Sequence, residues 1–319
     1  MRTLLLLLLA AAAAGQRTTD APDQPACVRR SLVGSATVYG IYGRGFGVAP
    51  ILGRLGTYRN IDDMAADTAP QVEQIEAANG GKPVVRAIHL IYAMATPCQA
   101  GGDCLSYLGR DIIARYIEPA AARGWVVVLD SQLGRSNPVE QVRHMIAAGF
   151  LRYDNVEVAI DPEFHVVPGN SVPGIPIGSV EAAQVNEAER ILDEYVRAEN
   201  LPTKKILEVH QFGDPAVNDG VPFMIRNKES LRDCPNVDLV IDMDGLGTPA
   251  QKVWKYNRIT SSRIYPFIHF RGIKVFYRDP GETHGHFDRP PMTIEEVFGI
   301  RPIPNGLRMA SKPDVLIIA

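Results

Sequence analysis

The sequence has little net charge, few cysteines and only one long apolar run. Its 33 Lys and Arg residues nearly balance 36 Asp and Glu residues, and a net charge of −3 does not indicate binding to nucleic acid. No segment, including the N-terminal run, has the roughly 20 apolar residues that span a bilayer, so no membrane span is predicted. The chain also lacks a C-x-x-C zinc motif and a G-x-S-x-G serine nucleophile motif. Hydrophobic residues nevertheless make up 46% of the chain, enough for a large globular core.

The N-terminal segment has the three parts of a secretory signal peptide. Arg2 precedes an apolar stretch over residues 4–14, and small residues end that stretch. We therefore predict a signal peptide over residues 1–16, an N-terminal extension over residues 17–34 and a single catalytic domain over residues 35–319. The mature protein is predicted to be secreted, with an extracellular or periplasmic location.

Four cysteines in an exported chain favour disulfides over free thiols. Cys98 and Cys104 enclose the loop Gln-Ala-Gly-Gly-Asp, which is short and flexible enough to close, so this disulfide is predicted. Cys27 and Cys234 are the remaining pairing, which the sequence alone does not establish.

Apolar, β-rich runs alternate with helical segments along the whole domain. This alternation favours parallel βαβ units, and eight such units favour a single (β/α)₈ TIM-like barrel whose last helix is absent or replaced. A doubly wound open sheet is the alternative. The predicted strands are residues 37–42, 84–94, 125–130, 156–163, 205–212, 237–244, 273–278 and 314–318. The predicted helices are residues 61–78, 111–122, 138–148, 180–199, 222–233, 249–259 and 293–298.

Five consecutive predicted strands, the third to the seventh, end in ionisable residues. In either architecture ligands bind at the carboxyl ends of the strands, so the functional site is predicted at that end. The residues at or just after these strand ends are Asp130, Gln132, Asp161, Glu163, Glu208, His210, Gln211, Asp242, Asp244, Tyr277, Arg278 and Asp279.

The fourth predicted strand ends in two acids. Alternate residues of a strand share a face, so Asp161 and Glu163 are predicted on the same side as Ala159. Neighbouring carboxylates raise the pKa of one member of the pair, and glycoside hydrolysis needs one protonated and one ionised group. Glu163 has the longer reach and is the predicted proton donor, with Asp161 beside it. Asp244 or Asp130 is the predicted ionised partner.

The segment Ile160-Asp161-Pro162-Glu163 resembles the fourth-strand end of TIM-barrel glycoside hydrolases of the chitinase and lysozyme types. Those barrels carry an Asp-x-Glu there, with the glutamate as catalytic acid. The resemblance implies this role for Glu163 and a supporting role for Asp161. The seventh predicted strand ends in Tyr277-Arg278-Asp279, where another large barrel clan carries a glutamate nucleophile.

We therefore predict a glycoside hydrolase that cleaves a polysaccharide or oligosaccharide by carboxylate acid/base catalysis, with no cofactor and no metal. One alternative is a metal-dependent hydrolase that uses the same acids with His210 or with His284 and His286. The other alternative is a carbohydrate-binding barrel without catalysis. No oligomeric state is predicted. The predicted substrate-binding residues are Asp242, His210, Gln211, Gln132, Tyr277, Arg278 and Trp254.

Overall fold

The computed structural model describes residues 29–49, 53–213, 223–278 and 286–319. Within them, eight parallel strands pair side by side, and the first strand pairs with both the second and the last. The sheet is therefore a closed barrel, which confirms the predicted (β/α)₈ fold and excludes the open sheet. The strands are β1 (Thr37–Gly43), β2 (Val84–Ala95), β3 (Val126–Ser131), β4 (Val156–Ile160), β5 (Lys205–Gln211), β6 (Val237–Met243), β7 (Phe270–Val275) and β8 (Val315–Ile318).

The α-helices of the described residues begin at polar caps in several cases; for example, the Asn60, Asn137 and Thr248 side chains each accept a hydrogen bond from the first turn. The helices are α1 (Leu32–Ser35), α2 (Ile61–Asn79), α3 (Glu118–Ala121), α4 (Pro138–Ala147), α5 (Ala182–Ala198), α6 (Pro249–Ile259) and α7 (Ile294–Val297). A π-helical turn, Ile113–Ile117, precedes α3. Shorter elements are the 3₁₀ turns Arg54–Thr57, Pro162–Phe164 and Lys228–Ser230 and the strands Leu105–Tyr107, Val180–Glu181 and Ile225–Arg226.

A short helix, α1, precedes the first barrel strand. Its Val33 packs with Val38 and Val315 in the barrel interior. The last residues of the predicted N-terminal extension therefore contribute to the core.

Alternate residues of each strand enter two separate cores, as expected for a barrel. On β4, Val156, Val158 and Ile160 pack in the core between the strands and the helices. Ala159 packs in the interior core, together with residues such as Ile317. The alternation predicted for this strand is therefore correct up to its last residue.

The seventh strand begins three residues earlier than predicted. Phe270 pairs with Val240, and Ile273 already pairs with Met243 near the end of β6. Glycine lowers β-propensity, and Gly272 made the start of this strand hard to recognise. As a result Tyr277 lies beyond the strand, and Lys274 takes the inward position nearest its end.

The helix predicted over residues 222–233 is absent from residues 223–233, the part of that range that the structure describes. Ile225–Arg226 pairs in parallel with Val180–Glu181, and a single 3₁₀ turn follows. Asn227 has a φ of 53°, a left-handed conformation that ends any helix at this point. Lys228 is buried and donates hydrogen bonds to the carbonyl of Ile259, which fixes the turn against the barrel.

The predicted disulfide between Cys98 and Cys104 is present. Cys234 forms no disulfide with a described cysteine, and Cys27 lies outside the described residues, so their pairing stays a prediction. Residues 1–16 also lie outside the described residues. Within the part of the chain that the structure describes, no helix has the length and apolarity of a membrane span.

The buried Glu189 on α5 makes the stability of the fold sensitive to pH. Its side chain is 1% exposed and its carboxyl oxygens have no hydrogen-bond partner among the described residues. Burial, and then the charge of Asp233, raise the pKa of Glu189 from 4.5 to about 8. The protonated form is thus favoured in the folded state, so the free energy of unfolding is highest below about pH 4.5 and falls as pH rises from there to about 8.

We expect Glu189→Gln to raise the free energy of unfolding relative to wild type by about 2–4 kcal/mol at pH 9, because glutamine carries no charge to bury. At pH 5 the two proteins should differ little. Urea denaturation at both pH values measures this change. Glu199→Gln on the exposed end of α5 is the control and should show no such pH dependence; equal behaviour of the two variants would contradict the assignment.

Candidate active site

A cavity of about 530 Å³ opens at the carboxyl end of the barrel strands. Its walls come from residues at or beyond the ends of several strands, so side chains distant in sequence meet there. The polar and aromatic residues that line it include Tyr42, Gln132, Asp161, Glu163, Phe164, Phe212, Asp244, Lys255, Lys274, Phe276, Tyr277 and His286.

Asp161 and Glu163 reach the cavity by a turn rather than by strand alternation. β4 ends at Ile160, because Pro162 has no N–H for a further ladder hydrogen bond, and the 3₁₀ turn follows. Asp161 is 2% exposed, and burial followed by the charge of Glu163 raises its pKa well above the ordinary value. Burial, and then the charge of Asp244, raise the pKa of Glu163 to about 7.

Asp244 has the opposite character because a lysine neutralises it. The Lys274 Nζ donates to the Asp244 Oδ2 over 3.0 Å and lies 3.5 Å from the ring centroid of Tyr42. Burial disfavours ionisation of Asp244, but Lys274 and His210 outweigh that effect and lower the pKa of its carboxyl. The cavity therefore contains two carboxyl groups, those of Asp161 and Glu163, whose protonation is favoured and one, that of Asp244, that stays ionised.

His210 is the centre of a fully buried network beneath the cavity. Its Nδ1 lies 3.0 Å from the Oδ2 of Asp242 and 3.5 Å from the Oδ2 of Asp244. Its Nε2 lies 3.7 Å from the Oδ2 of Asp130 and 3.8 Å from the Oε1 of Glu208. Burial alone would lower the pKa of His210, but Asp130 and Asp242 raise it well above the ordinary value.

Gly272 on β7 creates the space that Asp242 occupies. A Cβ atom at Gly272 would lie 2.5 Å from the Oδ1 of Asp242, closer than any real contact. Only glycine therefore allows this carboxylate to point into the barrel beside His210.

The predicted site residues fall into two layers. Those that line the cavity are Glu163, Asp161, Asp244, Gln132 and Tyr277. Asp130, Asp242 and His210 are fully buried below them and do not line it.

Three predicted substrate-binding residues lie elsewhere. Gln211 faces away from the barrel interior, where its amide oxygen accepts from Lys228 and its amide nitrogen donates to the carbonyl of Gly213. Trp254 is 43% exposed on α6 and does not line the cavity, and neither does the exposed Arg278. Asp279 and His284 lie outside the described residues.

Sequence reasoning missed the inward-facing Lys274, Tyr42 and His89. Each is an ionisable side chain in an otherwise apolar strand, on the same face of the strand as small interior residues such as Gly40 and Gly272. The alternation of side chains along a strand could have identified them, because an ionisable residue on the interior face needs polar partners in the core.

Two groups of side chains have ligand atoms close enough to hold a metal ion among the described residues. In each group the atoms lie within 4.8 Å of one another; the groups are His89, Glu208 and His210, and His210, Asp242 and Asp244. Asp288, which is close in sequence to His284 and His286, already has other partners. Its carboxylate accepts from the N–H groups of Gly247 and Phe276 and pairs with Lys252 at 3.0 Å.

Fold and site together define a (β/α)₈ barrel with a carboxylate-rich cavity at the carboxyl ends of its strands. Neither a protein-family model nor a curated protein sequence matches this chain. Among solved structures it is similar to the GH26 domain of the PbGH26-GH5A endo-beta-mannanase/endo-beta-glucanase from Prevotella bryantii, with 13% sequence identity and a TM-score of 0.36. The similarity covers 90% of this chain and 85% of the other. At this TM-score the comparison assigns neither a family nor a substrate.

The buried pair of Lys274 and Asp244 should show strong energetic coupling. We expect Lys274→Met and Asp244→Asn each to lower the free energy of unfolding by about 3–5 kcal/mol, because each leaves an unpaired buried partner. The double variant should lose clearly less than the sum of the two single losses. Urea denaturation of the four proteins measures the coupling, and additive losses would show that the two groups do not depend on each other.

Proposed function

We propose that the protein is a secreted glycoside hydrolase that uses Glu163 as the catalytic acid and Asp244 as the ionised carboxylate. The observation that carries the proposal is that both carboxyl groups line one cavity while only Asp244 has a lysine partner. Glycoside hydrolysis requires such an unequal pair on either side of the scissile bond.

In this mechanism Glu163 donates its proton to the leaving-group oxygen as the glycosidic bond breaks. Asp244 stabilises the positive charge that develops on the sugar ring, either by attacking the anomeric carbon or by activating a water molecule. Lys274 keeps Asp244 ionised before reaction. Asp161, protonated beside Glu163, holds a neutral carboxyl group next to the catalytic acid and so avoids a second negative charge there.

The cavity also offers the contacts that a sugar needs. Aromatic side chains in its wall, among them Phe164, Phe212 and Tyr277, provide apolar surfaces for the C–H faces of a pyranose ring. The Gln132 amide oxygen accepts from the N–H of Ala95, which leaves its amide nitrogen to donate to a substrate hydroxyl. These residues support a polysaccharide or oligosaccharide as the substrate.

The metal-dependent alternative has less support at the cavity. Of the acids in the cavity wall, Asp244 belongs to a group with metal-binding distances, but its Oδ2 lies 3.0 Å from the Lys274 Nζ. The ammonium group already neutralises the charge of this carboxylate oxygen. For this reason we assign the reaction to the carboxylates.

Removal of the Glu163 carboxylate should greatly reduce turnover. We expect Glu163→Gln to reduce kcat by about 10²–10⁴-fold on substrates with poor leaving groups, the range seen when a general acid is lost. Product release from a panel of bacterial, plant and algal polysaccharides measures this loss. Glu73→Gln, on the exposed face of α2, is the matched control and should retain full activity.

Two outcomes of that panel would overturn the proposal. Full activity of Glu163→Gln would exclude it as the acid. Binding of a polysaccharide by wild type with no product from any member of the panel would identify a carbohydrate-binding barrel instead.

The pH profile should reveal the titration of Glu163. Its carboxyl is protonated below about 7, so kcat/KM should be constant below that pH and fall about tenfold per pH unit above it. Besides burial, the charged groups that set this value are Asp244, Lys274, His210 and Asp130. Substrates with activated leaving groups need less proton donation and should lose the alkaline decline in kcat; an unchanged decline with such substrates would assign it to another group.

A further inference from the structure

The barrel interior below the cavity contains polar atoms that face one another without bonding. The Nε2 atoms of His89 and His210 and the Oε1 of Glu208 each lack a hydrogen-bond partner among the described residues, and these three residues are at most 1% exposed. A buried polar atom without a partner costs roughly 1–3 kcal/mol, so three in contact need an explanation. They come from only two strands, β2 and β5, and their ligand atoms lie within 4.8 Å of one another.

The distances between these side-chain atoms are too long for hydrogen bonds, but they suit the binding of one shared ion. The His210 Nε2 lies 3.8 Å from Glu208 and 3.7 Å from the Oδ2 of Asp130, and the His89 Nε2 lies 4.0 Å from that same Asp130 oxygen. Ligands held tetrahedrally about 2.0–2.2 Å from one ion are roughly 3.3–3.6 Å apart. These three separations therefore exceed the distances between ligands of one ion by only a few tenths of an ångström.

The orientation of His210 indicates that a cation belongs there. Its Nδ1 lies 3.0 Å from Asp242, and an ionised carboxylate only accepts, so Nδ1 carries a proton. A metal ion bound at the Nε2 of His210 would lie towards the oxygens of Asp130 and Glu208, in place of the second proton that these acids otherwise favour on the ring. A carboxylate that orients the far nitrogen of a histidine in this way is the usual second partner of a metal-binding imidazole.

We infer that His89, His210 and Glu208, with Asp130 as a fourth ligand, bind one divalent transition-metal ion within the barrel. Two imidazole nitrogens and two carboxylates suit Zn²⁺, Mn²⁺ or Fe²⁺ rather than Ca²⁺ or Mg²⁺. None of the four lines the cavity, so the ion stabilises the barrel and takes no part in bond cleavage. The inference therefore does not depend on the glycosidase proposal.

The metal content of the untagged mature protein tests this site directly. Protein produced in medium that contains Zn²⁺, Mn²⁺ and Fe²⁺ should carry close to one divalent ion per chain by mass spectrometry of dissolved metals. His89→Asn and Glu208→Gln should each retain less than a tenth of that amount. His144→Asn, which removes a histidine on the outer side of the barrel, is the matched control and should retain all of it.

A second measurement uses wild type alone, so it does not depend on whether a variant folds. Protein from metal-replete medium should melt at least about 5 °C higher than protein from metal-depleted medium. Wild type with less than a tenth of an ion per chain from replete medium, or with identical melting in the two preparations, would overturn the inference and leave a proton on His210 as the buried cation. Metal content is independent of turnover, so failure of the glycosidase proposal would leave this result unchanged.

Discussion

The ion pair between Lys274 and Asp244 is the interaction on which the rest of the site depends. Asp161, Asp242 and Asp244 are each at most 5% exposed, so water screens their charges little. Lys274, 3% exposed, is the lysine that faces this group, and Asp244, Asp161 and Asp130 all raise its pKa above the ordinary value. Its charge lets Asp244 remain ionised at the cavity, whereas the pKa of Asp161 beside it stays well above the ordinary value.

Backbone geometry makes this arrangement available. The register of β7 on β6 sets Gly272 opposite Asp242 and Ile273 opposite Met243, so Lys274 follows at the next inward position, level with Asp244. A residue larger than glycine at 272 would displace Asp242 and with it the imidazole of His210. The charge distribution of the cavity is thus determined by strand register as much as by residue type.

The sequence predicted the architecture well because hydrophobic periodicity and strand-end acids are local signals. All eight strands were recognised, and α6 was predicted with its observed bounds, since Thr248 and Pro249 mark its start. The failures have local causes as well. The helix predicted across residues 223–233 missed the left-handed Asn227, and the start of β7 was hidden by Gly272.

The site was harder to predict than the fold because its defining contacts join distant parts of the chain. Asp161 and Glu163 were identified from a single strand end. Asp244 differs from them because it pairs with Lys274, which lies 30 residues after Asp244 in the chain. Nothing in the sequence around Lys274 indicates which acid it faces. The predicted substrate-binding role of Gln211 overlooked the direction of its side chain. Gln211 follows His210 directly and therefore points to the opposite side of the sheet.

The contrast between the two halves of the barrel interior argues that the polar half is retained for a function. At the end nearer α1 the interior is filled by Val38, Val126, Ile206, Val240 and Val315, an apolar packing that stabilises the fold. Nearer the cavity, the same strands contribute mainly ionisable side chains. Well-packed apolar residues in place of buried ion pairs often leave stability unchanged or increase it, so folding alone does not require these charges. The energetic cost of burying charged side chains falls only on the half of the interior next to the cavity. This is the distribution expected if a catalytic or binding site requires those charges.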